Sequence, residues 1–452
     1  SKDFVDHQAP MFQREAKFEI GDEIVKVKIW LTEGGDIETE TIDNPQYPIK
    51  DGTYEKIIGT TEYDERIIAH KVFCSSTPLS TVLSPQSVEI IGDNWSVQDD
   101  DVSVLADILG FQHKATPHHF QQGESLQLLS RTDWDAGGGN KVDWSMTLKP
   151  LPDYDTRVNS IREYHNLIRT VQITTEIEGI YGDIQRITDF VTDRLEEFSW
   201  LSSYIQGMLP SATKIEIKGN DISSPEEASK PTYVKLMNAH SNIGSSCRRS
   251  EVLFQSSREI PIYMDNSYEK FINKRSGLKL KKVLGLYIDS LNARRPIDPR
   301  FVNLCTGIEM LANHYSQDQG STEKQIQLMI DGLGIDFHDL LHASSSFPTK
   351  YLPQLRQDYL EHLFEHQYGS PISKAGVITP DLPPVQEKTL EYFWYRSRNY
   401  VIHGNPKVPM DELFIDYELL TTLMRRVLRE LLLEGDVEKF RSLAKLEPKG
   451  IK

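Results

Sequence analysis

Leu280-Lys-Lys-Val-Leu-Gly-Leu-Tyr-Ile-Asp-Ser-Leu291 is the stretch at which the chain changes its period. Leu280, Val283, Leu284, Tyr287, Ile288 and Leu291 recur at three- and four-residue spacing, which places them on one stripe of a helix. A second stripe follows at Phe301, Leu304, Cys305, Ile308, Leu311, Ala312 and Tyr315, and Pro296 and Pro299 are expected to separate the two helices. The helical period continues through Glu323–Leu333, Leu352–Phe364, Glu387–Ile402 and Met410–Leu433, broken by the loop Gly369–Pro384. Residues 276–452 therefore read as an all-α bundle.

Upstream the period is two. In Ile24–Leu31 the apolar Val25, Val27, Ile29 and Leu31 alternate with Lys26 and Lys28, the pattern of a half-buried strand. Glu55–Ile58, Arg66–Phe73, Ser87–Ile91, Glu124–Leu129 and Val142–Leu148 follow the same logic, with Gly137-Gly138-Gly139-Asn140 as a hairpin connection. Residues 1–150 thus read as a β-sandwich or barrel-like domain. Between 151 and 275 the signals mix. Val171–Ile177, Lys214–Lys218, Val234–Met237 and Val252–Phe254 have strand character, and Ile184, Ile187, Phe190, Val191, Leu195 and Phe198 mark a helix. This segment is expected to be an α+β extension of the front domain, making the whole chain α+β and multidomain.

Composition narrows the function classes. The 452 residues carry no apolar run long enough to span a bilayer, and SKDFVDHQAP lacks the basic start and apolar segment of a secretory leader. Three widely spaced cysteines, Cys74, Cys247 and Cys305, form neither a disulfide framework nor a CxxC metal site, so a reducing cytoplasm is expected. Net charge is −17, but it is unevenly spread. Residues 271–452 hold 24 basic and 23 acidic side chains, whereas residues 1–270 hold 26 and 44. The nearly neutral last third is compatible with a phosphate-binding site; the acidic front is poorly suited to one.

Three constellations carry candidate chemistry. His362-Leu-Phe-Glu365-His366 matches the HxxEH pattern of a zinc hydrolase, and His338 and His342 repeat the one-turn spacing; HxxxH spacings arise often by chance, and EHLFEHQ reads more plainly as an ordinary amphipathic helix with its polar residues in solvent. His113, His118 and His119 cluster around Pro117 with the same ambiguity. The third constellation lies in the segment Glu391–Gly404, at the end of the helix expected at Glu387–Ile402. Its core face is Leu390, Phe393, Trp394, Ser397 and Val401, while Arg396, Asn399 and His403 lie on the remaining arc with Arg398 at its margin. Gly404 and Pro406 stop the helix, so His403 occupies a C-terminus where carbonyl dipoles favour its protonated form. A histidine that exchanges protons near neutrality beside a guanidinium that grips phosphate is what metal-free RNA cleavage needs. Arg425, Arg426 and Arg429 on the last helix are further candidates for contacting an RNA backbone, against the plainer reading of a solvated face.

The string Arg398-Asn399-x-x-x-His403-Gly404, closing a helix in a C-terminal bundle, resembles the Arg-x4–6-His motif of HEPN-domain ribonucleases. The resemblance implies a homodimer with facing motifs, no metal or other cofactor, and cleavage of RNA to a 2′,3′-cyclic phosphate. On this reading His403 is the general acid/base, Arg398 the phosphate and transition-state clamp and Asn399 the group orienting His403 or the ribose, with Arg396 a reserve clamp because it shares His403's side of the ideal helix. Ile402, apolar on the polar arc, is a candidate contact with the second subunit. FVNLCTGIEMLANHY is similar to an earlier HEPN helix with an Ala/Gly-x-Glu string, which makes Glu309 a candidate orienting residue. YEKIIGTTEYDERIIAHKVFC and RLEEFSWLSSYIQGMLPSATKIEIKG are similar to the front region of ApeA-type abortive-infection proteins. That resemblance implies defence against phage by cutting cellular RNA such as tRNA, with a front region that senses a phage or cellular trigger. A catalytically silent HEPN RNA-binding or scaffold protein, and a zinc hydrolase using HxxEH, are the rival expectations.

Overall fold

The computed structural model describes residues 5–43, 49–77, 80–92, 101–111, 125–134, 141–164, 167–180, 184–219, 233–238, 259–292, 295–315, 322–335, 398 and 410–433. The chain divides into two compact units, Ser1–Asp265 and Asn266–Lys452. The protein is α+β; among the described residues the strands and two helices lie in the first unit, and the other helices follow from Glu259 onward.

The first unit is built on one antiparallel sheet. Its strands are β1 (Pro10–Ile20), β2 (Glu23–Thr32), β3 (Ile37–Asp43), β4 (Gly52–Thr61), β5 (Arg66–Thr77), β6 (Ser80–Ser84) and β7 (Ser87–Ile91). They continue with β8 (Asp101–Leu109), β9 (Leu126–Trp134), β10 (Lys141–Pro150), β11 (Arg169–Glu178), β12 (Ser211–Gly219) and β13 (Tyr233–Met237). The spatial order is β3-β2-β1-β4-β5-β7-β13-β12-β8-β11-β10-β9, with β6 paired to β5. Strands β11 to β13 thus lie in the same sheet as the strands before residue 150.

The alternation in β2 buries Val25, Val27, Ile29 and Leu31, and these meet Phe18, Ile57, Ile67, Val72, Cys74, Val88, Ile90, Val234 and Leu236 in a barrel-like core. Each such buried side chain contributes about 1.5–3 kcal/mol. The barrel closes where β3 meets β6. Thr39 Oγ1 donates to the Leu83 carbonyl and Thr41 Oγ1 to the Thr81 carbonyl. Asn238 finishes the seam by accepting from Ile37 N at 3.3 Å and donating from its own backbone to Gln86 O at 3.0 Å. Gly59 is required where β1 crosses β4, since a Cβ there would stand 2.1 Å from the Lys17 carbonyl oxygen.

Beyond β13 the buried side of the sheet reverses. Val104, Ala106, Ile173, Ile177, Trp144, Met146, Ile215 and Ile217 turn toward helix α2 (Ile184–Gln206), which presents Ile187, Val191, Leu195 and Phe198. Phe198 stacks on Phe111 with ring centroids 5.9 Å apart, and Phe190 meets Trp144 edge-on at 6.5 Å. On the other side, Asp107 of β8 is fully buried. It accepts from Arg169 Nη1 at 3.1 Å and Gln172 Nε2 at 2.8 Å, with Lys214 Nζ 3.0 Å away as an ion pair off the hydrogen-bonding direction. Arg169 continues to Glu33 at 3.2 Å, and Glu33 also receives Arg157 of α1 (Tyr154–Tyr164) at 2.9 Å. This chain of alternating charges fastens the β2–β3 corner to β11, β8 and β12.

Helix α3 (Glu259–Lys274) runs across the division between the units. In the second unit follow α4 (Leu280–Ser290), α5 (Ile297–Tyr315), α6 (Thr322–Gly332) and α7 (Met410–Leu433). The stripes expected on α4 and α5 are buried: Leu280, Val283, Leu284, Tyr287 and Ile288 on one, Phe301, Leu304, Cys305, Ile308, Leu311 and Ala312 on the other. Pro299 does not separate the helices as its position suggested. It sits inside the first turn of α5, where a missing N–H costs nothing because that donor has no intrahelical partner. Lys270 and Lys274 of α3, one turn apart, donate to the Leu433 and Leu431 carbonyls at 2.9 and 3.0 Å and satisfy the C-terminal end of α7. The strand expected at Val252–Phe254, the Gly137–Asn140 connection, and the helices expected at Leu352–Phe364 and Glu387–Ile402, except Arg398, lie outside the described residues. No helix among the described residues is long and apolar enough to cross a membrane.

Candidate functional site

Helix α5 organises the site. Its core stripe points into the unit, and its two flanks do different work. On one flank Gly307 lets α7 and α4 approach, for a Cβ there would stand 2.8 Å from Met424 Cε and 3.8 Å from Leu286 Cβ. Arg300 anchors the same side. Its guanidinium lies 4.5 Å from the Tyr417 ring centroid and donates to Ser290 O at 2.7 Å and Tyr417 Oη at 2.6 Å. Tyr417 Oη in turn donates to Ser290 O at 2.8 Å, so α4, α5 and α7 share one hydrogen-bonded knot.

Glu309 is two residues after Gly307, about 160° around the helix axis, and so faces the other flank. There its Oε1 pairs with Arg398 Nε at 2.5 Å, across a separation of 89 positions. The side chains are 28% and 26% exposed, which leaves the pair half-buried but open to solvent. Such a charge-assisted contact fixes the guanidinium more firmly than a neutral hydrogen bond. Arg398 itself lies in π-helical backbone, a wider turn that changes the phase of an ideal α-helix. Glu309 also lies at the flank of its own stripe.

The other candidate residues are distributed differently. Arg425 Nε donates to Tyr287 Oη at 3.2 Å, Arg429 pairs with Glu430 at 3.3 Å, and Arg426 pairs with the same carboxylate at 3.1 Å. These arginines belong to the helix packed on the Gly307 flank, opposite the Glu309–Arg398 pair. Among the described contacts the structure brings Glu309 and Arg398 together, and it ties Arg425 and Arg429 into the α4–α7 side of the bundle. Arg396, Asn399, Ile402 and His403 lie outside the described residues, as do His338, His342, His362, His366, His113, His118 and His119. Among the described residues no three His, Cys, Asp or Glu side chains are grouped to hold a metal ion.

No family model, curated protein or solved structure matches the chain. The functional reading therefore rests on the residues themselves.

Proposed function

We propose that the helical unit is a metal-independent endoribonuclease of the HEPN type that cuts cellular RNA, tRNA among it, in abortive defence against phage. The observation that supports this reading is the Glu309–Arg398 ion pair at 2.5 Å. It joins, on one side of α5, the carboxylate of the Gly-x-Glu string and the arginine of the Arg-x-x-x-x-His string.

In this reading the RNA 2′-hydroxyl attacks the adjacent phosphorus, and the 5′-oxygen of the next nucleotide leaves. His403 takes the proton of the attacking hydroxyl, and an imidazolium returns one to the leaving oxygen. Arg398, held by Glu309, neutralises the charge that grows on the non-bridging phosphate oxygens in the transition state. The products are a 2′,3′-cyclic phosphate and a 5′-hydroxyl. A homodimer brings two copies of the motif to one cleavage site. The acidic front, with 26 basic against 44 acidic residues up to position 270, is assigned to sensing or regulation instead of gripping RNA.

The test is incubation of the purified full chain with total RNA in EDTA, alongside His403→Ala and Arg398→Ala. Expected is cleavage by the unmodified chain alone, with cyclic-phosphate ends. Cleavage that survives both substitutions, or that disappears on chelation, overturns the mechanism. Where the purified chain awaits its trigger, growth arrest on expression, relieved by His403→Ala, is the matching readout in cells.

A further inference from the structure

Two polar groups on α5 are left open beside the Glu309–Arg398 pair. Glu309 gives Oε1 to Arg398, and its second oxygen, Oε2, accepts no hydrogen bond from any described residue. One turn further on stands Asn313, exposed and likewise without a hydrogen bond to any described residue. At 100° and 1.5 Å per residue, Asn313 lies about 40° around α5 from Glu309 and about 6 Å along it. Side chains on a helix lean toward its N-terminus, so the Asn313 amide leans back over the turn that carries Glu309. Val302, Thr306, Glu309 and Asn313 follow one another at four, three and four residues and form a single stripe. Val302 is apolar, and Thr306 donates its hydroxyl to the Val302 carbonyl at 2.8 Å, which leaves Glu309 Oε2 and the Asn313 amide as the open polar groups of that stripe. Asparagine is a weak helix former away from the N-cap, so local propensity does not account for it inside α5.

The donor and acceptor pattern of the two groups selects a ligand. A carboxylate oxygen only accepts, whereas an amide accepts at Oδ1 and donates at Nδ2. Together they fit an edge that offers an amino group beside a bare ring nitrogen, as adenine and cytosine do on their Watson–Crick edges. Uracil puts a carbonyl oxygen where the amino group stands, and a carbonyl set against a carboxylate leaves two acceptors opposed. Single-stranded RNA presents such edges unpaired, and a protein reads them by hydrogen bonding while cations hold the phosphates. We propose that Asn313, together with Glu309 Oε2, reads the base next to the phosphate held at Arg398 and makes the site prefer adenine and cytosine over uracil. This rests on the ribonuclease reading for the phosphate at Arg398, but the base preference is measured by binding alone.

The test uses the full chain carrying His403→Ala, so that RNA is bound and not consumed. Affinities for fluorescent oligo(A), oligo(C) and oligo(U) of one length are measured by anisotropy, with Asn313 intact and with Asn313→Ala added. Asn303→Ala is the control, the same residue type on the same helix but about 120° around from Glu309. Circular dichroism verifies that both variants fold. With Asn313 intact, oligo(A) and oligo(C) should bind about five-fold or more tighter than oligo(U), the discrimination of one good two-pronged base contact. Asn313→Ala should shrink that ratio by the same factor, and Asn303→Ala should leave it alone. Differences in stacking among the three strands cancel between variants, and a general loss of stability weakens all three affinities without moving their ratio.

A ratio that Asn313→Ala leaves unchanged, or that Asn303→Ala lowers equally, overturns the proposal even where the unmodified chain cuts RNA. A preference that depends on Asn313, with no cleavage by the unmodified chain under any condition, supports the base contact and removes the nuclease reading instead. Absence of binding to all three strands overturns the base contact, and cleavage by the unmodified chain then decides the nuclease reading on its own.

Discussion

Asp107→Asn should be the most informative single change in the first unit. The carboxylate is fully buried and sits between two cations, Arg169 at 3.1 Å and Lys214 at 3.0 Å, which are 17% and 11% exposed. An amide keeps the shape but removes the charge. Breaking a buried ion pair costs about 3–5 kcal/mol when the surviving charge is left without compensation. Here each cation retains one anion, Glu33 at 3.2 Å from Arg169 and Glu216 at 2.9 Å from Lys214. The loss therefore falls at the lower end, about 3 kcal/mol. For a unit of this size that lowers the melting temperature by about 6–12 °C. Alkaline pH gives a second signature. Burial pulls the Lys214 ammonium down, but Asp107 and Glu216 outweigh it, and the net direction is up. A cation raised on folding contributes stability that is complete below its ordinary value, 10.5, and is lost as pH climbs through the higher folded value. Asp107→Asn should shrink this alkaline loss, as followed by thermal melts between pH 7 and 11. A change in stability below about 1 kcal/mol, with the alkaline limb unaltered, would refute the view that these charges hold the β2–β3 corner to the distal strands.

Three further outcomes are expected. Gly59→Ala drives a Cβ into the Lys17 carbonyl and the Phe18 Cα, backbone atoms that cannot rotate away, and should destabilise the barrel by about 1–3 kcal/mol or prevent folding, seen by circular dichroism. Cys74 is fully buried, and burial followed by Asp51 pushes its thiol up, so a thiol reagent at pH 8 should label it only after denaturation; rapid labelling of the native chain contradicts that placement. Arg398→Ala should lower RNA cleavage by about 10²–10³-fold as the loss of a transition-state donor, with Glu309→Gln falling between it and the unmodified chain; equal activity of all three removes the pair from catalysis.

Much of the architecture is legible without coordinates because it is written in periods. The stripe from Leu280 to Leu291 and the alternation from Val25 to Leu31 both became buried faces, since any other orientation would expose apolar surface. Elements with weaker patterns escaped. β3, Ile-Glu-Thr-Glu-Thr-Ile-Asp, has little to bury because its role is to close a seam through Thr39 and Thr41 hydroxyls. β8 has Leu105 and Leu109 beside Val102, Val104, Ala106 and Ile108, and apolar residues on both sides blur the alternation. Pro299 misled for a local reason: the same residue that breaks a helix interior is tolerated in its first turn.

The candidate site divides along similar lines. Arg398 and Glu309 are visible as residue types in suggestive strings, yet nothing in their spacing joins positions 89 apart. An ideal α-helix even places Arg398 at the margin of the core face, whereas the structure pairs it with Glu309 of α5.

The amino-acid sequence by itself determined that a β-rich, strongly acidic first part precedes a nearly neutral helical part, because period and charge are local properties of the chain. The tertiary structure alone decided that the thirteen strands among the described residues form one sheet whose buried side reverses beyond β13, and that Asp107 is shared by two cations from different strands. It also decided that α5 holds Arg398 on one flank and the α7 arginines on the other. Those are facts about which distant residues meet, and meeting is settled by packing volume and by the pairing of buried charges, neither of which any short window of sequence contains.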